Sequence, residues 1–266
     1  MTPFEAVFLG VLQGITEFLP ISSSGHLVLA EYFLGLSETS LSFDVALHVG
    51  TLVSVLTYFW KDWWKMAGSF VRHGDEAVAY RKLFFFLIAG TIPGALAGFF
   101  LEGFVGTVFR SPWVVVATLS SVAFLLYLGE RLARHERGFK SVGLRDAIIV
   151  GCAQAVAIIP GVSRSGITMT AGLLLGFERT AAARFSFLLS APIIAGAGFY
   201  QFIKLMDGEA GVWGPEYIWG FLSSVISGYL VIAFLMRYLV SHTFYPFVWY
   251  RLVLAAGVAV ILVLAV

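Results

Sequence analysis

Hydrophobic residues run through this chain in stretches of two lengths, and the polar positions fall where the stretches break. Six stretches approach the roughly 20 apolar residues that a helix needs to cross a bilayer. They are Phe43–Trp60, Leu83–Leu101, Pro112–Gly129, Phe185–Ile203, Tyr217–Met236 and Phe247–Val266. Four others are too short to cross: Pro3–Leu19, Leu27–Leu36, Ala147–Ile159 and Ile167–Phe177. The short stretches come in pairs, each split by a serine-rich turn, which predicts two re-entrant helical hairpins. Each half then reads as one hairpin followed by three spanning helices. An odd number of crossings puts the start of the second half on the opposite face from the first. The expected fold is an all-α polytopic membrane protein, an inverted-topology repeat with six spanning helices plus two re-entrant helical hairpins. It forms a single domain over residues 1–266, with repeat 1 at about 1–130 and repeat 2 at about 146–266. The two hairpin tips, entering from opposite faces, can meet near the midplane.

The serine-rich turns are copies of each other. The first reads Gly10-Val-Leu-Gln13-Gly-Ile-Thr-Glu17-Phe-Leu-Pro20-Ile-Ser22-Ser23-Ser24-Gly25-His26. The second reads Gly151-Cys-Ala-Gln154-Ala-Val-Ala-Ile-Ile-Pro160-Gly-Val-Ser163-Arg164-Ser165-Gly166-Ile167. One ungapped offset of 141 residues (151 − 10, 163 − 22, 166 − 25) relates them, and it carries Leu34-Gly35 onto Leu175-Gly176. A polar, ionisable loop repeated inside a lipid-soluble chain points to a functional site.

Composition agrees with the membrane class: 12% of residues are charged, against roughly 25% in soluble domains. With a net charge of +1 and no long basic run, no nucleic-acid partner is expected. The lone Cys152 excludes an internal disulfide and a multi-cysteine metal site, and reads as a small buried helix residue. The start, Met1-Thr-Pro-Phe-Glu5, lacks a positive leader, so the first hydrophobic segment is expected to stay. Lysine and arginine divide unevenly: thirteen fall in segments assigned to one face, and Arg110 and Lys204 to the other. That bias places the 61–82 and 130–146 loops in the cytoplasm and both termini outside. Arg164 and Arg251 belong to neither group; Arg251, one turn inside the final span, is expected to snorkel to the cytoplasmic interface.

Arg164 is the sharpest chemical signal. An arginine within the membrane's thickness costs about 2.5–3.5 kcal/mol even on the lenient insertion scale, so a carboxylate or an anionic ligand must compensate it. Glu17 is the candidate ion-pair partner. Ser22-Ser23-Ser24-Gly25 and Ser163-Arg164-Ser165-Gly166 each precede a helix, where serine caps and free N–H groups favour an anion. Two such termini and a guanidinium suit a phosphate or diphosphate. His26, beside serines, an arginine and an acid, suits a general base, acid or nucleophile. Glu17 could hold a divalent cation, orient His26 or pair with Arg164. Gln13 lies one turn before Glu17, on the same face; because it is neutral, Mg²⁺ or Ca²⁺ would need substrate phosphates as ligands. Asp44 could line the mouth of the site or simply start its helix. His48 is one turn on, and Thr168 could donate to a phosphate or bond its own backbone. The Ile92-Pro93-Gly94 sequence predicts a helix kink.

The stretches Gln13–His26 and Pro160–Thr168 resemble the two signatures of the undecaprenyl-diphosphate phosphatase family associated with bacitracin resistance, and length and segment order agree over the whole chain. The resemblance implies hydrolysis of the C55-isoprenyl diphosphate to the monophosphate plus phosphate, recycling carrier lipid for cell-wall synthesis. It also implies a divalent cation (Mg²⁺ or Ca²⁺) and a place in the bacterial plasma membrane with the site facing the outer, periplasmic side. The implied partners are undecaprenyl diphosphate and membrane lipids; a homodimer stays open. By position, the family's glutamate pair falls on Gln13 and Glu17, and its serine, proposed as nucleophile or phosphate ligand, on Ser23. Its essential histidine falls on His26 and its essential arginine on Arg164. Gln13 departs from the family pattern and shifts weight for any metal onto Glu17. Catalysis is thus expected from Glu17, Ser23, His26 and Arg164, with Gln13, Ser22, Ser24, Gly25, Asp44, Ser163, Ser165, Gly166 and Thr168 around the substrate. A transporter or flippase of the polyprenyl monophosphate is the alternative that inverted repeats allow.

Overall fold

A computed structural model describes residues 1–34, 41–105, 111–206 and 214–264. These form α1 (Pro3–Phe18), α2 (Ser23–Leu34), α3 (Leu41–Tyr58), α4 (Trp60–Gly68), α5 (Asp75–Val105) and α6 (Pro112–Leu132). After a 3-10 turn at Phe139–Ser141 come α7 (Leu144–Val156), α8 (Arg164–Leu174), α9 (Arg179–Met206), α10 (Pro215–Tyr238) and α11 (Tyr245–Leu264). Several starts follow from local sequence. Thr2 and Glu5 cap α1 reciprocally, each side chain accepting from the other's backbone N–H. Proline opens α1, α6 and α10, where its missing N–H has no intrahelical bond to lose.

Five of these helices are long and apolar enough to cross a bilayer: Asp75–Leu101, Pro112–Leu132, Arg179–Lys204, Pro215–Tyr238 and Tyr245–Leu264. The other expected span, α3, meets that measure only together with α4, across a 73° bend. Helix α4 itself occupies what reads in the sequence as a polar loop. Helix α5 begins at Asp75, ahead of the apolar stretch, and continues through Pro93 without ending.

The basic residues that the sequence groups on one face meet there. Arg184, at the start of α9, pairs with Asp62 of α4 at 2.5 Å; Arg179 pairs with Glu130 at the end of α6; and Lys65 of α4 pairs with Glu76 of α5 at 2.7 Å. Arg137 holds Asp146 in the first turn of α7 at 2.6 Å and donates to the Leu175 carbonyl just past α8 at 3.0 Å. One guanidinium therefore ties together both ends of the α7–α8 hairpin. Burial opposes ionisation of Asp146, but Arg137 and the Gly143 N–H hold its carboxyl below the ordinary value.

Each hairpin lies against a helix of the other half, α1 along α10 and α7 along α5. Small residues make the approach possible. A Cβ on Gly10 would stand 2.3 Å from the Gly220 carbonyl oxygen, and one on Gly151 would stand 2.2 Å from that of Gly90. Such close backbone contact is how helices associate where no hydrophobic driving force separates them from lipid. Serine hydroxyls add ties between α3 and α10, from Ser224 to the Leu47 carbonyl at 2.7 Å and from Ser54 to that of Val225 at 2.8 Å. Because Gly151 takes the contact with α5, its neighbour Cys152 is rotated away by about 100°. It is exposed, which corrects the expectation of a buried cysteine.

Candidate active site

The two hairpin tips turn through matching serines, although just before them Gly161, at φ 87°, stands where the first tip has Pro20. Ser22 and Ser163, 141 residues apart, have φ of 80° and 71°, in the left-handed region that non-glycine residues avoid. Ser22 Oγ accepts from the Gly25 N–H at 3.2 Å, and Ser163 Oγ accepts from the Gly166 N–H at 3.0 Å. Each hydroxyl also meets a second serine, Ser24 at 3.3 Å or Ser165 at 3.2 Å. These bonds cap α2 and α8 and help hold a conformation worth about 1–3 kcal/mol of strain at each serine. The serine-capped helix starts that the sequence suggests are therefore present.

Glu17 lies between those starts. Its Oε2 accepts from Ser23 Oγ at 2.5 Å and from Gln13 Nε2 at 2.9 Å, while Oε1 accepts from Arg164 Nη2 at 2.6 Å. Ser23 and Arg164 are the first residues of α2 and α8, again 141 apart, so one carboxylate bridges equivalent positions of the two halves. His48 of α3 completes the ring, with Nε2 3.6 Å from Glu17 Oε2. Its Nδ1 donates to the Asp44 carbonyl at 2.8 Å, which places Asp44 one turn away at the edge of the site. Ser165 Oγ crosses between tips to the Leu19 carbonyl at 2.9 Å.

His26 stands beside this network. Its Nδ1 lies 2.7 Å from the Ser22 carbonyl oxygen, which can only accept, so Nδ1 carries the hydrogen. Nε2 lies 2.7 Å from the Tyr250 hydroxyl.

The bacitracin resistance protein BacA family matches residues 6–257, which include both tips and the residues bonded to them. The chain belongs to that family. It is 46% identical over 265 residues to the undecaprenyl-diphosphatase of Pelotomaculum thermopropionicum, covering 100% of this chain and 98% of that protein. It is 47% identical over 267 residues to the undecaprenyl-diphosphatase of Rubrobacter xylanophilus (98% of each), and 46% over 266 residues to that of Desulforudis audaxviator (99% of each).

Within this BacA-family chain, Gln13, Glu17, Ser23 and Arg164 form one hydrogen-bonded unit, as their spacing suggests. Thr168 takes the backbone option: its hydroxyl donates to the Arg164 carbonyl at 2.6 Å and meets Ser186 Oγ at 2.6 Å, supporting the second tip from behind. The residues do not form a ready metal cage. Both Glu17 oxygens already accept from protein donors, and among the described residues no group of three His, Cys, Asp or Glu is placed to hold an ion. Gln13 offers one further oxygen, Oε1, buried and without a hydrogen-bond partner.

The largest departure from the sequence reading is Arg251. It does not snorkel; it is fully buried. Its guanidinium donates to the carbonyls of Pro20 (3.1 Å), Gly161 (2.8 Å) and Val162 (3.1 Å) in the two tips, and to Thr118 (3.3 Å) and Leu119 (3.2 Å) of α6. A charge buried this deeply is held by carbonyl dipoles in place of water. Thr118 Oγ1 adds a bond to the Pro160 carbonyl at 2.7 Å. The signal was present in the sequence: Arg251 shares with Arg164 the property of belonging to neither face. Tyr250 and the approach of His48 to Glu17 carried no such signal, because both depend on how distant helices pack.

Proposed function

We propose that this protein hydrolyses undecaprenyl diphosphate to undecaprenyl monophosphate and inorganic phosphate, the activity that its relatives' names state. The observation that carries this reading is Glu17 joined to both Ser23 and Arg164, with His26 on the same tip. A hydroxyl, a carboxylate to take its proton, a guanidinium and two capped helix starts are the parts that phosphoryl transfer needs, since its catalysis is mostly positioning and charge neutralisation.

The incoming diphosphate competes with Glu17 for Arg164, offering the guanidinium several oxygens in bidentate geometry. The Glu17 carboxylate, thus relieved, keeps its bond to Ser23. Ser23 Oγ attacks the terminal phosphorus and passes its proton to Glu17. The bridging O–P bond breaks, and the lipid monophosphate leaves with the bridging oxygen. Water then cleaves the phosphoserine, giving a proton to His26 Nε2, while Glu17 returns its proton to Ser23. Direct attack by His26, or by a water it activates, is the competing route. A divalent cation would neutralise phosphoryl charge; with no protein cage for it, we place its ligands chiefly on the diphosphate itself.

The inverted-repeat arrangement is part of the same proposal. It is supported by the reciprocal packing of α1 on α10 and α7 on α5, and by the matched positive-φ serines. We read the whole chain as one domain, with the basic face in the cytoplasm and the site opening to the outer side of the bacterial plasma membrane, following the lysine and arginine bias. The same packing suits a carrier of the lipid monophosphate. Detergent-purified protein separates the two, having no second compartment: the hydrolase releases phosphate from undecaprenyl diphosphate and a pure carrier does not. Single-turnover quenching then identifies the nucleophile, with phosphoserine at Ser23 expected. Phosphohistidine, or one-step transfer of labelled water oxygen with inversion at phosphorus, would replace the serine scheme.

A further inference from the structure

Two consecutive residues of α11 reach opposite ways. Arg251 enters the protein and grips the tip carbonyls, whereas Tyr250 stays 44% exposed and places its hydroxyl 2.7 Å from His26 Nε2. The two rings lie nearly parallel, 12° apart with centroids separated by 5.7 Å. Since the Ser22 carbonyl fixes the hydrogen on Nδ1, neutral His26 has its free lone pair on Nε2, and the Tyr250 O–H is the donor to it.

From this geometry we propose that Tyr250 is a positioning residue for His26, setting the direction of Nε2 and covering its lone pair until the reaction needs it. The inference rests on the reading of His26 as a reacting group, and it adds a residue that the two tip motifs do not contain. Three observations favour a positioning role over simple packing. The bond joins the one His26 atom able to accept a proton to a helix 224 residues away in sequence. Tyr250 is anchored through its neighbour Arg251, so α11 cannot shift without disturbing both tips. Finally, the exposed phenol has room to withdraw from Nε2 while the backbone beneath it stays fixed.

Diethyl pyrocarbonate, which acylates an unprotonated imidazole nitrogen, tests the cover directly, with modified histidines assigned by mass spectrometry. Tyr250→Phe removes one oxygen and keeps the ring. His26 in this variant is expected to label about three- to ten-fold faster than in the parent, the range one net hydrogen bond supplies, with His73 and His242 unchanged. In detergent, its kcat for undecaprenyl diphosphate should fall about ten-fold with KM within about two-fold, the pattern of a lost transition-state contribution. Unchanged His26 labelling in the folded variant overturns the cover; faster labelling with unchanged kcat overturns the positioning role. If every histidine accelerates, the variant is disturbed and the parent alone decides. His242 shares the Nδ1-to-carbonyl arrangement, with Tyr238 at 3.2 Å. His26 labelling as fast as His242 in the parent overturns the proposal. Failure of the whole phosphatase reading shows separately, as no phosphate release by the parent.

Discussion

The two hairpin tips share a capped serine turn and differ in chemistry. Both turn through a positive-φ serine, both cap their helix with that hydroxyl, and both start the helix at equivalent residues. The side chains then diverge. The first tip has Glu17 and His26 where the offset puts Ile158 and Ile167 in the second, and the second has Arg164 where the first has Ser23. Gln13 and Gln154 make the sharpest contrast, because the residue is the same. Gln13 donates to Glu17, whereas Gln154 is buried with neither amide atom bonded. The difference lies in the carboxylate, which only the first tip supplies. The two turns thus match, while the acid and the imidazole lie on one tip and the guanidinium on the other.

Removing the cation of the second tip should have the largest effect. Arg164→Ala is expected to lower phosphate release by about a thousandfold, as loss of a charge stabiliser in a site of this kind does, measured at saturating undecaprenyl diphosphate in detergent. Residual activity within ten-fold of the parent would return the whole chemistry to the first tip. Next is the residue that binds both tips. Arg251→Met strands the carbonyls it now binds, and should lower unfolding free energy by about 3 kcal/mol, read as a lower Tm in detergent together with loss of activity. A smaller change deepens the asymmetry: Gln13→Glu sets a second carboxylate one turn from Glu17. It should tighten the apparent affinity for Mg²⁺ about ten-fold in equilibrium binding, and unchanged affinity would count against cation binding near Glu17. The smallest effect tests the silent counterpart of His26: Ile167→Val should alter turnover less than about two-fold.

Much of this was legible in sequence because it depends on local pattern. The short apolar stretches, the serine caps and the shared face of Gln13 and Glu17 follow from helix period and capping chemistry. The Arg164–Glu17 pair was legible for another reason: a charge at membrane depth needs a partner, and few were available. What escaped reading depends on packing between distant segments. Arg251 lies within a turn or two of a span end, so sequence offers it an exit to the interface, and only the fold shows the tip carbonyls closer to hand. Tyr250 and His48 are ordinary residues of apolar helices until α11 and α3 are set against the tips. Helix α4 was missed because its charged residues read as a loop, although they pair across the basic face with Arg184 and Glu76.

The clamp on both tips is carried by α11, which follows both hairpins in the chain. During synthesis the two hairpins therefore emerge and enter the membrane with their tip carbonyls still lacking the guanidinium that later holds them. The turns gain that clamp only once residues 245–264 have been made and Arg251 can reach both. A chain stopped before Arg251 would carry both motifs without the guanidinium that joins their turns.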